Sequence, residues 1–424
     1  MVRVTSRRAV LGSVGTVVTV GAAGCLGDDD DEDGDDHTDH GDHADHDHGD
    51  DEDDGDDSGN DNDVPTGEGV VYAFAPNTIA VIDPDEGEVV AEITEGIDDE
   101  SWGDPQITHD FSQVFVIRES PSQVLAIDTA SHEVVAEIDI GPGPTHMYHP
   151  NDQEIWAHAD DEGTFYVIDV ESHDVVATVE AGLDAEGHGK LLYHEDFGDT
   201  GYATNVNDPG LPVLDMSAYE RSDFIEFGEE GGTHYKAYSP QTGLIYGEFG
   251  DVTPVVDTES HDIVDELDFA GGMYLTPDDQ LMGFLDGDTV RFVDVTDTDH
   301  EEVGSVEVEG GPDALRYHEA DDGTIYAFTA NTHSDQASVI DLDAFEVVAE
   351  IEVGHIIRPE DAPFLHRSGV AAEGLFVTPA EEDGFVALVD MEEHSLLGHV
   401  EVEEGVDTVQ IIGDSGTGYT GRVR

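Results

Sequence analysis

The residues in this sequence with chemistry to offer are its 22 histidines. His146 in GPTHMY, His188 in GHGK and His234 in GTHY hold the same place in three consecutive sequence units. Side chains so placed converge when the units stand side by side, and three imidazoles plus a water or carboxylate satisfy tetrahedral zinc. His158 (AHADDE), His333 (NTHSDQ) and His355 (VGHIIRPED) are expected in loops and connections that open on the same face. Glu186, Asp160 and Glu248 are candidate fourth ligands, or outer acceptors that orient the rings. Imidazole must be unprotonated to bind, so a reference pKa near 6.5 puts the loss of affinity below about pH 6.

A second set lies in HTDHGDHADHDH, where His37, His40, His43, His46 and His48 alternate with Asp39, Asp42, Asp45 and Asp47. Imidazole is a common ligand for zinc, copper and nickel, and a flexible chain can wrap several of them around one ion. The bland alternative is a solvating tether in which histidine is incidental. The remaining histidines have structural explanations. His132, His173, His261 and His394 are expected in hairpin turns that need positive φ, and His300 and His399 belong to outer segments. His109, His149, His194, His318 and His366 recur at the far end of one strand of the unit, where Ser239 and Thr276 replace them in two others. A polar side chain bonding the turn backbone accounts for that series.

The elements that position these residues follow from a repeat. AVIDPDEGEVVAEI (80–93), AIDTASHEVVAEI (126–138), VIDVESHDVVATV (167–179), VVDTESHDIVDEL (255–267) and VIDLDAFEVVAEI (339–351) are copies of one phrase. Its Asp recurs at 83, 128, 169, 215, 257, 294, 341 and 390, a period of 37 to 49 residues. Short alternating strands at that period predict an all-β propeller with four strands per blade. Eight markers predict eight blades, with seven as the alternative if one weak unit is not a blade. The chain enters the repeat at VVYAFAP and leaves it at VDTVQII, so the C-terminal strand is expected to complete the first blade and close the ring.

Charge and cysteine count exclude several classes. The chain has 102 Asp+Glu against 13 Lys+Arg, a net charge of −89, and one Cys. Such a surface repels phosphate backbones and anionic lipids, which excludes nucleic acid as a partner. One Cys allows no internal disulfide, no CxxCH haem attachment and no thiolate zinc finger. The segment 28–63 carries 21 acidic residues and no Lys or Arg, yet 64–424 still holds 81 acidic and 10 basic residues. The excess therefore belongs to the folded body too, and it fits a protein adapted to molar salt, where screening reaches only about 3 Å at 1 M. Residues 25–63 are too polar to offset ordering entropy and are expected to form a disordered tether.

The N-terminus reads as an address. Arg7 and Arg8 follow Ser6 and precede a charge-free stretch from Ala9 to Gly24, and Ala22-Ala23-Gly24 precede Cys25. Residues 1–24 resemble a twin-arginine signal peptide ending in a lipobox. The expectation is an exported monomer, anchored to the outer face of the cytoplasmic membrane by lipidated Cys25, with a propeller at 64–424.

The blade phrase resembles YVTN-type propeller repeats over about residues 70–412. Together with the His/Asp-rich segment holding His37, His40, His43, His46 and His48, and with His146, His188 and His234, the chain is similar to the AztD-type zinc metallochaperones. That resemblance implies an exported Zn2+ carrier, not an enzyme, that passes its ion to the solute-binding protein of a zinc ABC importer. Cu2+ or Ni2+ remain open as cargo. A scaffold propeller of the cell envelope without metal function is the alternative. No Ser/His/Asp order or Gly-rich phosphate loop stands out for catalysis.

Overall fold

The computed structural model describes residues 69–183, 186–359 and 365–413. Cys25, the signal segment and the five tether histidines lie outside the described residues. The body is an eight-bladed β-propeller, each blade a four-stranded antiparallel sheet, which decides between the seven and eight blades left open by sequence. Blade 1 is built from Val71–Ala75, Thr78–Asp83, Glu88–Ile93 and Thr408–Ile411. Its innermost strand therefore comes from the C-terminus, paired Val71↔Ile411 to Phe74↔Thr408. The inner strands of blades 2 to 5 are Trp102–Ile107, Pro144–Asn151, Leu191–Leu192 and Lys236–Ser239.

Each part of the repeated phrase has a physical task. The marker Asp ends the third strand and its Oδ1 accepts backbone N–H groups of the next turn, as Asp128 does from Ala130 and Ser131 and Asp390 from Glu392 and Glu393. This side-chain turn satisfies donors that a tight hairpin leaves orphaned. The doubled apolar pair that follows reflects a β-bulge. Ile127 pairs with Val134 and Ala126 with Ala136, so Val135 is the extra residue and is 47% exposed. Val176, Val264, Val348 and Leu397 are extruded by the same bulge.

The four turn histidines behave as expected, His132, His173, His261 and His394 all having positive φ. His300, expected in an outer segment, also takes positive φ in this turn, and Tyr219 and Phe345 do so in blades 4 and 7. Each of these rings packs on the preceding blade: His132 on Tyr72, His173 on Phe115, Tyr219 on Trp156, His261 on Tyr202, His300 on Tyr246, Phe345 on Phe292 and His394 on Tyr326. The apolar core is divided in the same way, into clusters that each join two neighbouring blades. Stability is thus spread around the ring, and the inner strands hold side chains at fixed heights around the central channel.

Candidate metal centre

Three adjacent inner strands build the site. His146 lies on the inner strand of blade 3. His188 and His234 sit just ahead of the inner strands of blades 4 and 5, where backbone pairing continues through Val206 N–H to His188 O (2.9 Å) and Glu248 N–H to Tyr235 O (2.8 Å). The GHGK sequence is required by this close approach. A Cβ on Gly187, whose φ is +145°, would stand 1.9 Å from Asn205 Oδ1, and one on Gly189 would stand 2.4 Å from Thr204 O.

The three rings meet through their Nε2 atoms. His188 Nε2 is 3.0 Å from His146 Nε2 and 3.1 Å from His234 Nε2, and the ligand nitrogens of all three lie within 4.8 Å of one another. Tetrahedral zinc with Zn–N near 2.05 Å requires N···N spacings of about 3.3 Å. On the far side of each ring stands a carboxylate. His146 Nδ1 is 2.6 Å from Asp104 Oδ2 and His188 Nδ1 is 2.6 Å from Asp160 Oδ2. Glu248 Oε2 is 3.9 Å from His234 Nδ1 and accepts the Tyr235 N–H at 3.0 Å. An ionised carboxylate only accepts, so the Nδ1 atoms of His146 and His188 carry the protons and their Nε2 lone pairs face inward. Converging lone pairs repel unless a cation lies between them.

Electrostatics hold His146 and His234 in the binding state. Burial, then the charge of Lys190, lowers His146 to about 3 against the upward pull of Asp104. Burial and Lys190 push His234 down as well. Burial alone would raise the Asp104 and Asp160 carboxyls, but their histidine partners win and both lie below the usual carboxylate range. Burial raises Glu248. His146 and His234, desolvated in this way, resist protonation.

Of the other sequence candidates, none joins this cluster among the described residues. His158 is buried behind it, its Nδ1 2.8 Å from Asp160 Oδ1, so Asp160 braces two imidazoles and also accepts from Thr145 Oγ1 at 2.9 Å. His333 follows the second strand of blade 7, where its backbone N–H donates to Gly310 O at 2.7 Å. His355 is held by Asp383 at 2.8 Å and Asp335 at 3.2 Å. In the far-end series His149 Nδ1 donates to Glu154 O and His194 Nδ1 accepts from Asp196 N–H, as expected for turn bonding. His109, His318 and His366 instead pair with the carboxylates of Asp152, Glu392 and Asp313 on neighbouring blades, and Ser239 Oγ donates to Val295 O of the next blade. Sequence reasoning missed Asp104, which lies on the inner strand of blade 2 and bonds His146 Nδ1. A cleft of about 340 Å³ opens beside His234, lined by Gly231, Gly232, Glu248 and Phe249 among others, and gives access to the site.

No family model matches this chain, and no curated protein is similar to it in sequence. Solved structures are similar in fold. Dihydro-heme d1 dehydrogenase NirN in complex with DHE superposes with a TM-score of 0.65 at 14% identity, over 81% of this chain and 75% of that one. AztD from Citrobacter koseri superposes with a TM-score of 0.61 at 14% identity, over 83% of this chain and 99% of that one. Its apo form gives 0.60 at 12% identity, over 83% and 100%. The chain is an eight-bladed propeller of this shared architecture, with a three-histidine cluster arranged to hold a metal ion.

Proposed function

We propose that this protein is an extracytoplasmic zinc carrier that captures Zn2+ at His146, His188 and His234 and passes it to the solute-binding protein of a zinc ABC importer. The observation that carries the reading is the pair of short Nε2···Nε2 contacts, with Asp104 and Asp160 fixing the tautomers behind them. Three neutral donors and one open position suit a borderline divalent ion and leave room for a ligand from the receiving protein, so transfer proceeds by ligand exchange. The tether histidines 37, 40, 43, 46 and 48 gather the ion weakly before the propeller takes it. Lipidated Cys25 keeps the monomer at the outer face of the membrane, close to the importer. The role is non-catalytic, and the acidic surface suits molar salt.

The test is elemental analysis with competitive zinc titration of residues 64–424 in high salt, intact and with His146, His188 and His234 replaced by Ala. One tightly bound zinc in the first and none in the second is the expected outcome. Absence of zinc from both would sink the reading and leave a protein-binding scaffold propeller in its place. Titration with Cu2+ and Ni2+ ranks the cargo.

A further inference from the structure

In blades 2 to 8 the turn after the marker Asp sends one ring back onto the preceding blade, and in all but one it stands four residues after that Asp, as in Asp257 to His261. Blade 6 is the exception, with six residues from Asp294 to His300. The backbone bonds record the two extra residues: Asp257 N–H donates to Asp262 O, five residues on, whereas Asp294 N–H donates to Glu301 O, seven residues on.

The insertion undoes a bond that the repeat makes elsewhere. Tyr72 Oη lies 2.7 Å from His132 Nδ1, and Tyr202 Oη lies 3.2 Å from His261 Nε2. Tyr246 and His300 are the corresponding pair, edge to face at 5.6 Å and both buried. Here His300 turns its Nδ1 to Asp265 Oδ2 at 2.8 Å instead, which holds the Asp265 carboxyl below its usual range. An ionised carboxylate only accepts, so Nδ1 carries the proton and the Nε2 lone pair is left for a donor. Burial raises Tyr246, eased by the Thr242 hydroxyl, yet neither hydroxyl nor His300 Nε2 closes a hydrogen bond of full geometry. His394 Nε2 is also without a partner, but its neighbour Tyr326 is only partly buried.

A cleft of about 480 Å³ opens at this point between blades 5 and 6, lined by Asp257, Asp265, Thr298 and His300 among others, with Leu244 and Val264 as its apolar wall. Thr298 comes from the longer turn itself. The volume suits a small ligand. The third strand of each blade runs parallel to the inner strand, so the cleft lies at the end of the ring opposite the three-histidine cluster. Two carboxylates and an imidazole lone pair accept hydrogen bonds, and the lining holds no Lys or Arg. Among the described residues the ligand atoms that converge on one point are those of the three-histidine cluster, not these, so the lining does not suit a bare metal ion. It suits a cation that carries N–H donors and a short apolar stem.

We propose that this cleft binds a small primary alkylammonium ion, whose N–H groups donate to His300 Nε2 and the neighbouring carboxylates while its carbon chain lies on Leu244 and Val264.

The test is calorimetric titration of the metal-free full chain in high salt at about pH 8, where imidazole is unprotonated, with n-propylammonium chloride as the probe. One saturable site is expected. Tetramethylammonium, equal in charge but without N–H donors, should bind about tenfold more weakly. His300→Phe places in blade 6 the ring that Phe345 supplies in blade 7, so the turn is kept while the acceptor is lost, and affinity should fall about tenfold. Crystals of the parent chain soaked in the same salt provide a readout that needs no variant, with the ammonium expected in hydrogen-bonding contact with His300 Nε2. Absence of saturable binding, equal binding of the two cations, affinity unchanged in His300→Phe, or a map without the ion at His300 each overturns the proposal. No metal enters the experiment, so its outcome leaves the zinc reading where it stands.

Discussion

His188 Nδ1 lies 2.6 Å from Asp160 Oδ2, and that one bond sets the character of the central ring of the cluster. It fixes the proton on Nδ1 and turns the Nε2 lone pair toward both neighbouring histidines, 3.0 and 3.1 Å away. His188 is the only member that touches both others, so its orientation determines whether three donors meet at one point.

Asp160→Asn should therefore weaken zinc binding by about 10- to 100-fold, the usual cost of losing a carboxylate behind a metal-binding imidazole. The amide can still accept from one histidine but not from His158, His188 and Thr145 together. Competitive titration in high salt measures the loss, with Asp104→Asn as the comparison at His146. Affinity unchanged by both substitutions would mean the carboxylates do not tune the site.

Gly189→Ala should damage the site through the backbone. The new Cβ would sit 2.4 Å from Thr204 O and 3.1 Å from His158 Nε2, and a carbonyl held in a strand pair cannot retreat cheaply. Overpacking of this kind costs about 1–3 kcal/mol. Thermal unfolding should register that loss, and zinc affinity should fall with it as His188 shifts. An unchanged melting temperature would show that the inner strand of blade 4 is looser than described.

The propeller was legible because its rules are local and repeated. The marker Asp must cap its turn, and the doubled valine must supply a bulge, so both recur as letters in the sequence. The three-histidine cluster was legible because register alone places residues at one height. Register does not rank loop histidines, which is why His158, His333 and His355 were grouped with the cluster, although His158 stands behind it on Asp160 and His355 is held by Asp383 and Asp335. Asp104 was missed because strand pairing in WGDPQI is irregular between Trp102 and Pro105, so register does not say which way its side chain points.

Asp407 offers a pH prediction at the closure of the ring. It precedes the inner strand of blade 1 and feels the charges of Glu381 and Glu119. Burial and those acids raise it to about 7, against a bond from Thr408. An unfolded aspartate titrates near 3.9, so the folded state binds the extra proton between these values. That contribution is fully present below about pH 4 and is lost as pH rises through 7. Asp407→Asn should narrow the difference in melting temperature between pH 5 and pH 8 relative to the parent. A difference that stays the same would rule out Asp407 as its source.

Removing residues 403–424 should prevent stable folding, although it leaves the three histidines and their carboxylates untouched. The deletion takes the inner strand of blade 1 and with it the buried side chains of Val406, Val409, Ile411 and Ile412. At about 1.5–3 kcal/mol for each, the loss is roughly 6–12 kcal/mol, comparable to the whole stability of a typical domain, about 5–15 kcal/mol. It also removes Glu403, which bonds Asn77 through backbone and side chain at 3.0 and 2.7 Å. Because each apolar cluster joins two blades, opening the ring at blades 1 and 8 exposes two faces at once. Circular dichroism melts of the truncated and full chains test this, and a truncated protein that melts cooperatively at the parental temperature would show that the other blades hold the ring without the closing strand.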